Sequence, residues 1–490
     1  MVVGISTTRI DEPPRTLISI ARSTAFWTSH HPARVAFALA LVFGLGLAIF
    51  QPALKGADER DQFARAYQIS TGDLLTNKVG SFYGAYLPQS YNPEMSALTQ
   101  AVYLPPNGDK TAFLNFWNQP APSGPPTFVE IGTIASYGPG GYVVFSPVIA
   151  LGRIFGASLL VLIYLARFAG VLAFAGLLAL SVKRLPVHKW VLVAGGLIPE
   201  TLNQGSTVTA DSLTTGLTFL IVAEALRLSL DSEVRPKKIL VESAVAAFCL
   251  ALAKPPYILF VLMFLIPAWR YRQRLLRPLV GIVAGSLLAT TAWVSYQRRN
   301  SMRLDLKGFW PPYFVTNSQY AYRHIDIAAQ THYVIVHPFS FLAVLWRTFF
   351  YQGQAFPKMM LGLLSLYQIP TLLILLVLVI LACSCLTFDV PPRFWLPRID
   401  RILLVTLSLM IAVGVCAIVY TSANAFHAPR IDQLTPRYML ALIPPFLIGV
   451  LPQRQIFTAR VIQVLPLITT ILVGVLWVGV LAGLQQFQFG

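Results

Sequence analysis

The stretch ARVAFALALVFGLGLAIFQPAL, Ala33 to Leu54, runs across Lys55 into GADERDQFARAY, Gly56 to Tyr67. The first part carries a single charge, Arg34, and is long enough to cross a hydrocarbon core of about 30 Å as a helix. The second part opens with Asp58, Glu59, Arg60 and Asp61 in succession. Four ionisable side chains in a row cannot follow the helix into lipid, so the boundary between membrane and water falls here. Taken alone, the run reads as a solvated helix end that pins the span. Carboxylates placed at such a boundary are also partly desolvated, which raises their basicity and suits them to proton transfer.

Composition extends this reading to the whole chain. Of 490 residues, 56% are hydrophobic and only 12% charged, with mean hydropathy +0.64. Soluble domains carry roughly 25% charged residues. Apolar stretches of spanning length recur to the C-terminus, which predicts an all-α polytopic membrane protein. The formal net charge of +17 does not point to nucleic acid. Its excess sits in short connections such as Lys183-Arg184, Arg235 to Lys238, and Arg270 to Arg277, as cytoplasmic loops require. Cys249, Cys383, Cys385 and Cys416 all lie in apolar runs and read as small core residues rather than zinc ligands or disulfides. No secretory cleavage pattern precedes the first span, which stays as an anchor.

Charge sets the expected topology. Residues 1–34 form a cytoplasmic N-terminal segment and 35–490 a transmembrane domain of about eleven spans. Residues 53–139 form a large first outer loop with five basic and seven acidic residues, rich in Tyr, Pro, Asn and Gly. Val143 to Phe155 is short and broken by Pro147, so it is expected as a half-buried helix on the outer side. Trp190 to Asn203 then rises to a polar turn, Leu213 to Leu230 descends, and Ile239 to Ala253 and Ile258 to Trp269 form the next pair. Residues 297–338 are a second, basic outer loop, and Phe339 to Leu366 is expected to lie along the interface. Residues 421–436 form a third outer loop. No internal repeat of the kind many transporters carry is present.

Several side chains stand out against this frame. Asp58 and Glu59 lead. Asp211 follows, in the polar turn before Leu213, where a helix N-cap is the plain alternative. Glu200 lies in an apolar segment and should face the bundle interior or meet a base such as Arg167. Arg437 starts a span on the outer side, where positive charge is disfavoured, and Arg430 precedes it in the outer loop. An anionic ligand would account for them, since guanidinium forks match phosphate oxygens; pairing with Asp432 or with lipid headgroups would as well. Lys254 either joins them or reaches to the interface as a lone ammonium. Tyrosines of the first loop and its exit, including Tyr67, Tyr137 and Tyr142, could stack on sugar rings or form an interfacial belt. His324, His332, His337 and His427 do not have the spacing of a metal-ligand set. The chain has no phosphate-cradling glycine loop and no nucleophile elbow.

With these positions in hand, the chain resembles the GT-C superfamily, polytopic glycosyltransferases that use polyprenyl-phosphate-linked sugars. The shared features are an acidic pair after the first span, a large first outer loop and a further acid after the third span. The run Gly56-Ala57-Asp58-Glu59, Phe63, Ala66-Tyr67-Gln68 and Gly72 is similar to the motif of a bacterial membrane family filed as domain of unknown function number 2142. Tyr137, Pro139 and Tyr142, Lys254-Pro255 and Pro436-Arg437-Tyr438 resemble its later landmarks, over about Arg34 to Leu451. Gln62 stands where that family commonly has His, so no role of that His is carried over.

The resemblance implies an enzyme that transfers a sugar from a polyprenyl-phosphate donor to a cell-envelope glycan or glycolipid acceptor at the outer face, with inversion. Asp58 would be the general base and Glu59 its orienting partner. Asp211 would position the acceptor or, with Asp58, bind a divalent metal ion. Lys254, Arg430 and Arg437 would steady the donor phosphate. Two alternatives stay open: a flippase or exporter of lipid-linked glycans, and a glycan polymerase or ligase. A carrier should place charge at mid-membrane, whereas most acids here gather at the outer edge.

Overall fold

The computed structural model describes residues 17–80, 82–103, 114–231, 236–300, 326–351, 363–364, 367–388, 395–432, 434–452, 455 and 457–489. Most of the basic outer loop expected at 297–338 lies outside these residues, as do Lys110 and Arg393. The first helices are α1 (Leu17–His30) and α2 (Pro32–Phe50), followed by α3 (Glu59–Ser70) and α4 (Tyr91–Tyr103). Next come α5 (Phe145–Ile154), α6 (Leu159–Arg184), α7 (Lys189–Gly196), α8 (Pro199–Ser206), α9 (Ala210–Leu230) and α10 (Pro236–Ala251). After these lie α11 (Leu265–Arg270), α12 (Arg272–Asn300), α13 (Ile327–Val336), α14 (Pro338–Tyr351) and α15 (Thr371–Leu386). The described chain closes with α16 (Arg398–Ala423), α17 (Ile443–Val450) and α18 (Ala459–Phe489).

Six of these helices are long and apolar enough to cross a membrane, and seven if α13 and α14, bent by 105° at His337, form one broken span. Fewer straight helices of spanning length are thus present among the described residues than the eleven spans expected from hydropathy. Two of the expected spans, in α10 and α15, are 16-residue helices, and three more are broken locally. The Trp190 to Asn203 stretch, expected as one span, is α7 and α8, two eight-residue pieces with Pro199 opening the second. Ile258 to Trp269 begins as a 3₁₀ helix, Pro255–Phe264, before α11. Met439 to Leu451 is likewise 3₁₀, Pro436–Leu442, before α17 with its Pro444-Pro445. Proline at a helix start removes N–H donors that would have no partner there, so short elements begin at these sites. Each of these pieces is shorter than the 18 residues a straight span needs.

Helix α9 is the hub. It packs on α6, α8, α10 and both 3₁₀ segments, and 89% of its apolar window is buried. Two of its threonines satisfy their hydroxyls back along the helix, Thr214 to the Ala210 carbonyl at 2.8 Å and Thr218 to the Thr214 carbonyl at 2.7 Å.

The described part of residues 53–139, expected as the first outer loop, folds into a layer of its own. It contains α3, α4 and an antiparallel sheet in the order β1 (Asn77–Val79), β2 (Phe82–Pro88), β3 (Pro126–Glu130), with Lys78 opposite Tyr83 and Tyr86 opposite Phe128. Hydropathy did not signal these strands. The layer has a core around Phe63, Tyr67, Tyr91, Tyr142 and Phe145 that takes in Val208 and Ala210. A second, larger core in the bundle includes Leu47, Phe174, Trp190 and Leu213. The seam between the two cores thus passes through the start of α9 and the exit of α2, where the acidic residues lie.

Candidate functional site

Glu59 and Arg167 build the foundation. Both side chains are fully buried and paired at 2.6 Å between Glu59 Oε2 and Arg167 Nη2. The Arg167 Nε donates to Glu59 Oε1 at 2.7 Å, giving a two-pronged guanidinium–carboxylate pair. The remaining Arg167 donors reach the carbonyls of Ala48, Gln51 and Pro52, at and just past the end of α2, where helix geometry leaves C=O groups unfilled. Glu59 also accepts from the backbone N–H groups of Gly56 at 3.0 Å and Val208 at 3.1 Å. This carboxylate therefore ties together the α2 exit, α6 and the α8–α9 turn. Position 56 must be glycine for the turn to close: a Cβ there would lie 2.8 Å from Thr207 Cβ and 2.9 Å from Glu59 Oε2.

Asp58, one residue earlier, has the opposite environment. It occupies the N-cap position of α3, with left-handed backbone at φ 57°, and its side chain makes no capping hydrogen bond. Asp tolerates this conformation better than most residues. The carboxylate is 51% exposed and accepts instead from Arg437 Nη2, 379 positions away. The helix end named by the sequence is real, but it leaves the Asp58 carboxylate for a tertiary partner.

Asp211 completes the group. Thr209 is the N-cap of α9 and accepts from the Asp211 N–H at 3.2 Å, so the N-cap role considered for Asp211 belongs to Thr209. Asp211 lies in the first turn, where the helix dipole favours a negative charge. One of its oxygens pairs with Lys254 Nζ. The other lies 3.6 Å from Arg437 Nε, in ion-pair range but too far for a hydrogen bond. That buried Nε has no hydrogen-bond partner among the described residues. The Lys254 ammonium also sits over two rings, 4.9 Å from the centroid of Tyr137 and 4.6 Å from that of Tyr438. Tyr137 is brought there by the turn that follows it. A Cβ on Gly140 would lie 2.2 Å from the Cys249 carbonyl oxygen, so only glycine lets this turn seat against the end of α10.

The fold thus collects Asp58, Asp211, Lys254, Arg437 and Tyr137 from widely separated stretches. Tyr142 is one layer behind them: its hydroxyl donates to Gln62 Oε1, which also accepts from the Ala210 N–H at 3.3 Å. The two other tyrosine and arginine candidates go elsewhere. Tyr67 is packed in the core of the outer layer, edge-on to Tyr91 and beneath the Arg153 guanidinium, so its face is not open to a sugar. Arg430 pairs with Asp432, two residues on, and does not join Arg437. Glu200 is buried as expected, but its hydrogen bond is from Asn203 Nδ2 at 3.1 Å, since Arg167 is taken by Glu59. Tyr438 was missed as a site residue, although it follows Arg437 directly in the chain.

A divalent ion on Asp58 and Asp211 does not fit this donor set well. Each carboxylate already faces a fixed cation, and among the described residues no group of three or more His, Cys, Asp or Glu side chains could hold a metal. Beside the group, burial pushes the Asp61 carboxyl up to about 6, helped by the negative charges of Asp58 and Glu130 and opposed by Arg60.

A family model described as "Predicted membrane protein (DUF2142)" matches residues 41–446. No curated protein and no solved structure gives a significant match to the chain.

Proposed function

Because this chain belongs to the DUF2142 family of predicted membrane proteins, with its acidic motif at a membrane boundary, we propose that it is an integral membrane glycosyltransferase of the GT-C type. The donor is a polyprenyl-phosphate-linked sugar, the acceptor a hydroxyl of a cell-envelope glycan or glycolipid, and the reaction inverts the anomeric centre. The observation that carries this reading is the half-exposed Asp58 carboxylate held against the buried Arg437, whose Nε donor is still unfilled. A base and an anion-binding group face one another at the seam between outer layer and bundle.

In the resting site two acids, Asp58 and Asp211, balance two cations, Lys254 and Arg437. A donor phosphate competes with Asp58 for Arg437, and Asp58 is the member of the group with access to water. Its displacement frees the base as the donor arrives. Asp58 then takes the proton of the acceptor hydroxyl while that oxygen bonds to the anomeric carbon. The bond from this carbon to the phosphate oxygen breaks, and its electron pair leaves with the polyprenyl phosphate. Arg437 and Lys254 stabilise the charge that grows on the leaving phosphate. Asp211 keeps both cations aimed and is not consumed.

The test is transfer from a polyprenyl-phosphate sugar pool by the reconstituted chain, comparing the wild type with D58N at equal membrane levels. Loss of transfer with donor still bound supports the reading. Full activity of D58N overturns it and favours a carrier of lipid-linked glycans.

A further inference from the structure

The opposite end of α9 holds a second site. From Asp211 to Leu228 the helix advances about 26 Å at 1.5 Å per residue, so this end belongs to the other membrane face. A cavity of about 350 Å³ lies there, with Leu228 and Leu275 in its apolar wall and Arg270, Arg272 and Arg274 in its lining. Asp231 also lines it and is held by Arg227 at 2.6 Å. Among the described lining residues three are arginines and one, Asp231, is a carboxylate that already has a partner; Arg270 has its own in Asp400.

Arg270 is the fixed part of this site. It donates to the Ser229 carbonyl at 2.7 Å and pairs at 3.0 Å with the buried Asp400, which also accepts from Ser229 Oγ at 2.7 Å. That network joins α9, α11 and α16 and makes a rigid floor. Arg272 makes no ion pair among the described residues. It opens the 29-residue α12, whose N-terminus adds partial positive charge beside the cavity. Trp269 is 76% exposed, as suits an aromatic side chain at the lipid–water interface. Topology alone calls for basic residues in this connection, but it does not call for them to line one cavity with an apolar wall.

We propose that this cavity binds the phosphate of an anionic phospholipid headgroup from the cytoplasmic leaflet. The arginines hold the phosphate oxygens, and Leu228 and Leu275 meet the first methylenes of the lipid. The site is independent of the transfer reaction and is read without it.

The full chain is placed in nanodiscs of phosphatidylcholine, with or without phosphatidylglycerol, and retained lipid is counted by native mass spectrometry. Phosphatidylglycerol retention should fall roughly 25-fold in R272Q/R274Q, from the loss of two surface-level arginine interactions. K237Q/K238Q removes as much charge from exposed positions outside the cavity lining and should retain the lipid as wild type does. Q273W keeps every charge, fills the cavity and should lose retention, which guards against a folding defect in the double arginine variant. Equal retention in R272Q/R274Q and K237Q/K238Q overturns the proposal. So does arginine-dependent stabilisation by inorganic phosphate in pure phosphatidylcholine with none from phosphatidylglycerol, which would make the ligand a soluble ion.

Discussion

Arg167 and Glu59, 108 positions apart, form a fully buried pair in which both carboxylate oxygens are bonded to one guanidinium. Their pairing separates the roles of two carboxylates that are neighbours in the chain. Glu59 holds the α2 exit on α6, and Asp58 is thereby turned outward toward Arg437. What Glu59 contributes to Asp58 is position.

The two acids should therefore fail differently. E59Q leaves Arg167 buried without its counter-charge and should destabilise the chain by about 3–5 kcal/mol. D58N alters a half-exposed side chain and should change stability by no more than about 0.5 kcal/mol. Transfer by D58N should fall by about 10²- to 10⁴-fold, the range for loss of a general base. Thermal unfolding in detergent, run beside the transfer assay, separates these effects. Equal destabilisation by both substitutions would contradict the assigned roles.

Arg437 reaches Asp58 through Nη2 and faces Asp211 through Nε. A lysine carries the charge but not the planar fork, so R437K should not restore the site. Donor KM should rise and kcat should fall, by at least tenfold in kcat/KM as a rough bound from one lost charged hydrogen bond. A variant with wild-type kinetics would show that charge alone is sufficient at this position.

Two glycines are set by close approach. G56A drives a methyl group into Thr207 and Glu59, and G140A drives one into the Cys249 carbonyl. Each should cost about 1–3 kcal/mol by overpacking. G140A should also weaken transfer, because its turn carries Tyr137 to Lys254. Unfolding midpoints of purified G56A and G140A measure both effects against wild type.

Asp61 supplies a pH dependence outside the bundle. Its carboxyl is raised in the folded chain to about 6, above its ordinary value of 3.8. The folded state then binds the proton more tightly than the unfolded state. The stability it contributes is full below pH 3.8 and is lost as pH rises through about 6. D61N should flatten this decline and unfold at a higher temperature than wild type at pH 7.5, while matching it more closely near pH 4.5. A parallel decline in both proteins would assign the pH dependence elsewhere.

The orientation proposed for the site can be read by labelling. A cysteine at Phe82, exposed on β2, should react with an impermeant maleimide in intact cells. One at Lys238, exposed at the start of α10, should react only after permeabilisation. Both are made in a chain with its four native cysteines replaced. The reverse pattern would place Asp58 in the cytoplasm and exclude a polyprenyl-phosphate donor at the outer face.

By itself the sequence determined the helical membrane class, the presence of the first long span, which ends at Phe50 rather than Leu54, and the family. These follow from apolar length and charge, which are local properties. It also picked out Asp58, Asp211, Lys254 and Arg437, since each is a charge where a membrane chain avoids one. Only the tertiary structure decided that these four meet while Tyr67 and Arg430 do not, and that Glu59 belongs to Arg167. Among the described residues it made six of the eleven apolar stretches into straight helices of spanning length and broke others into shorter pieces. Hydropathy records that a segment is shielded from water but not whether lipid or protein shields it. The pairing of buried charges depends on which helices pack together, over separations that no local pattern encodes.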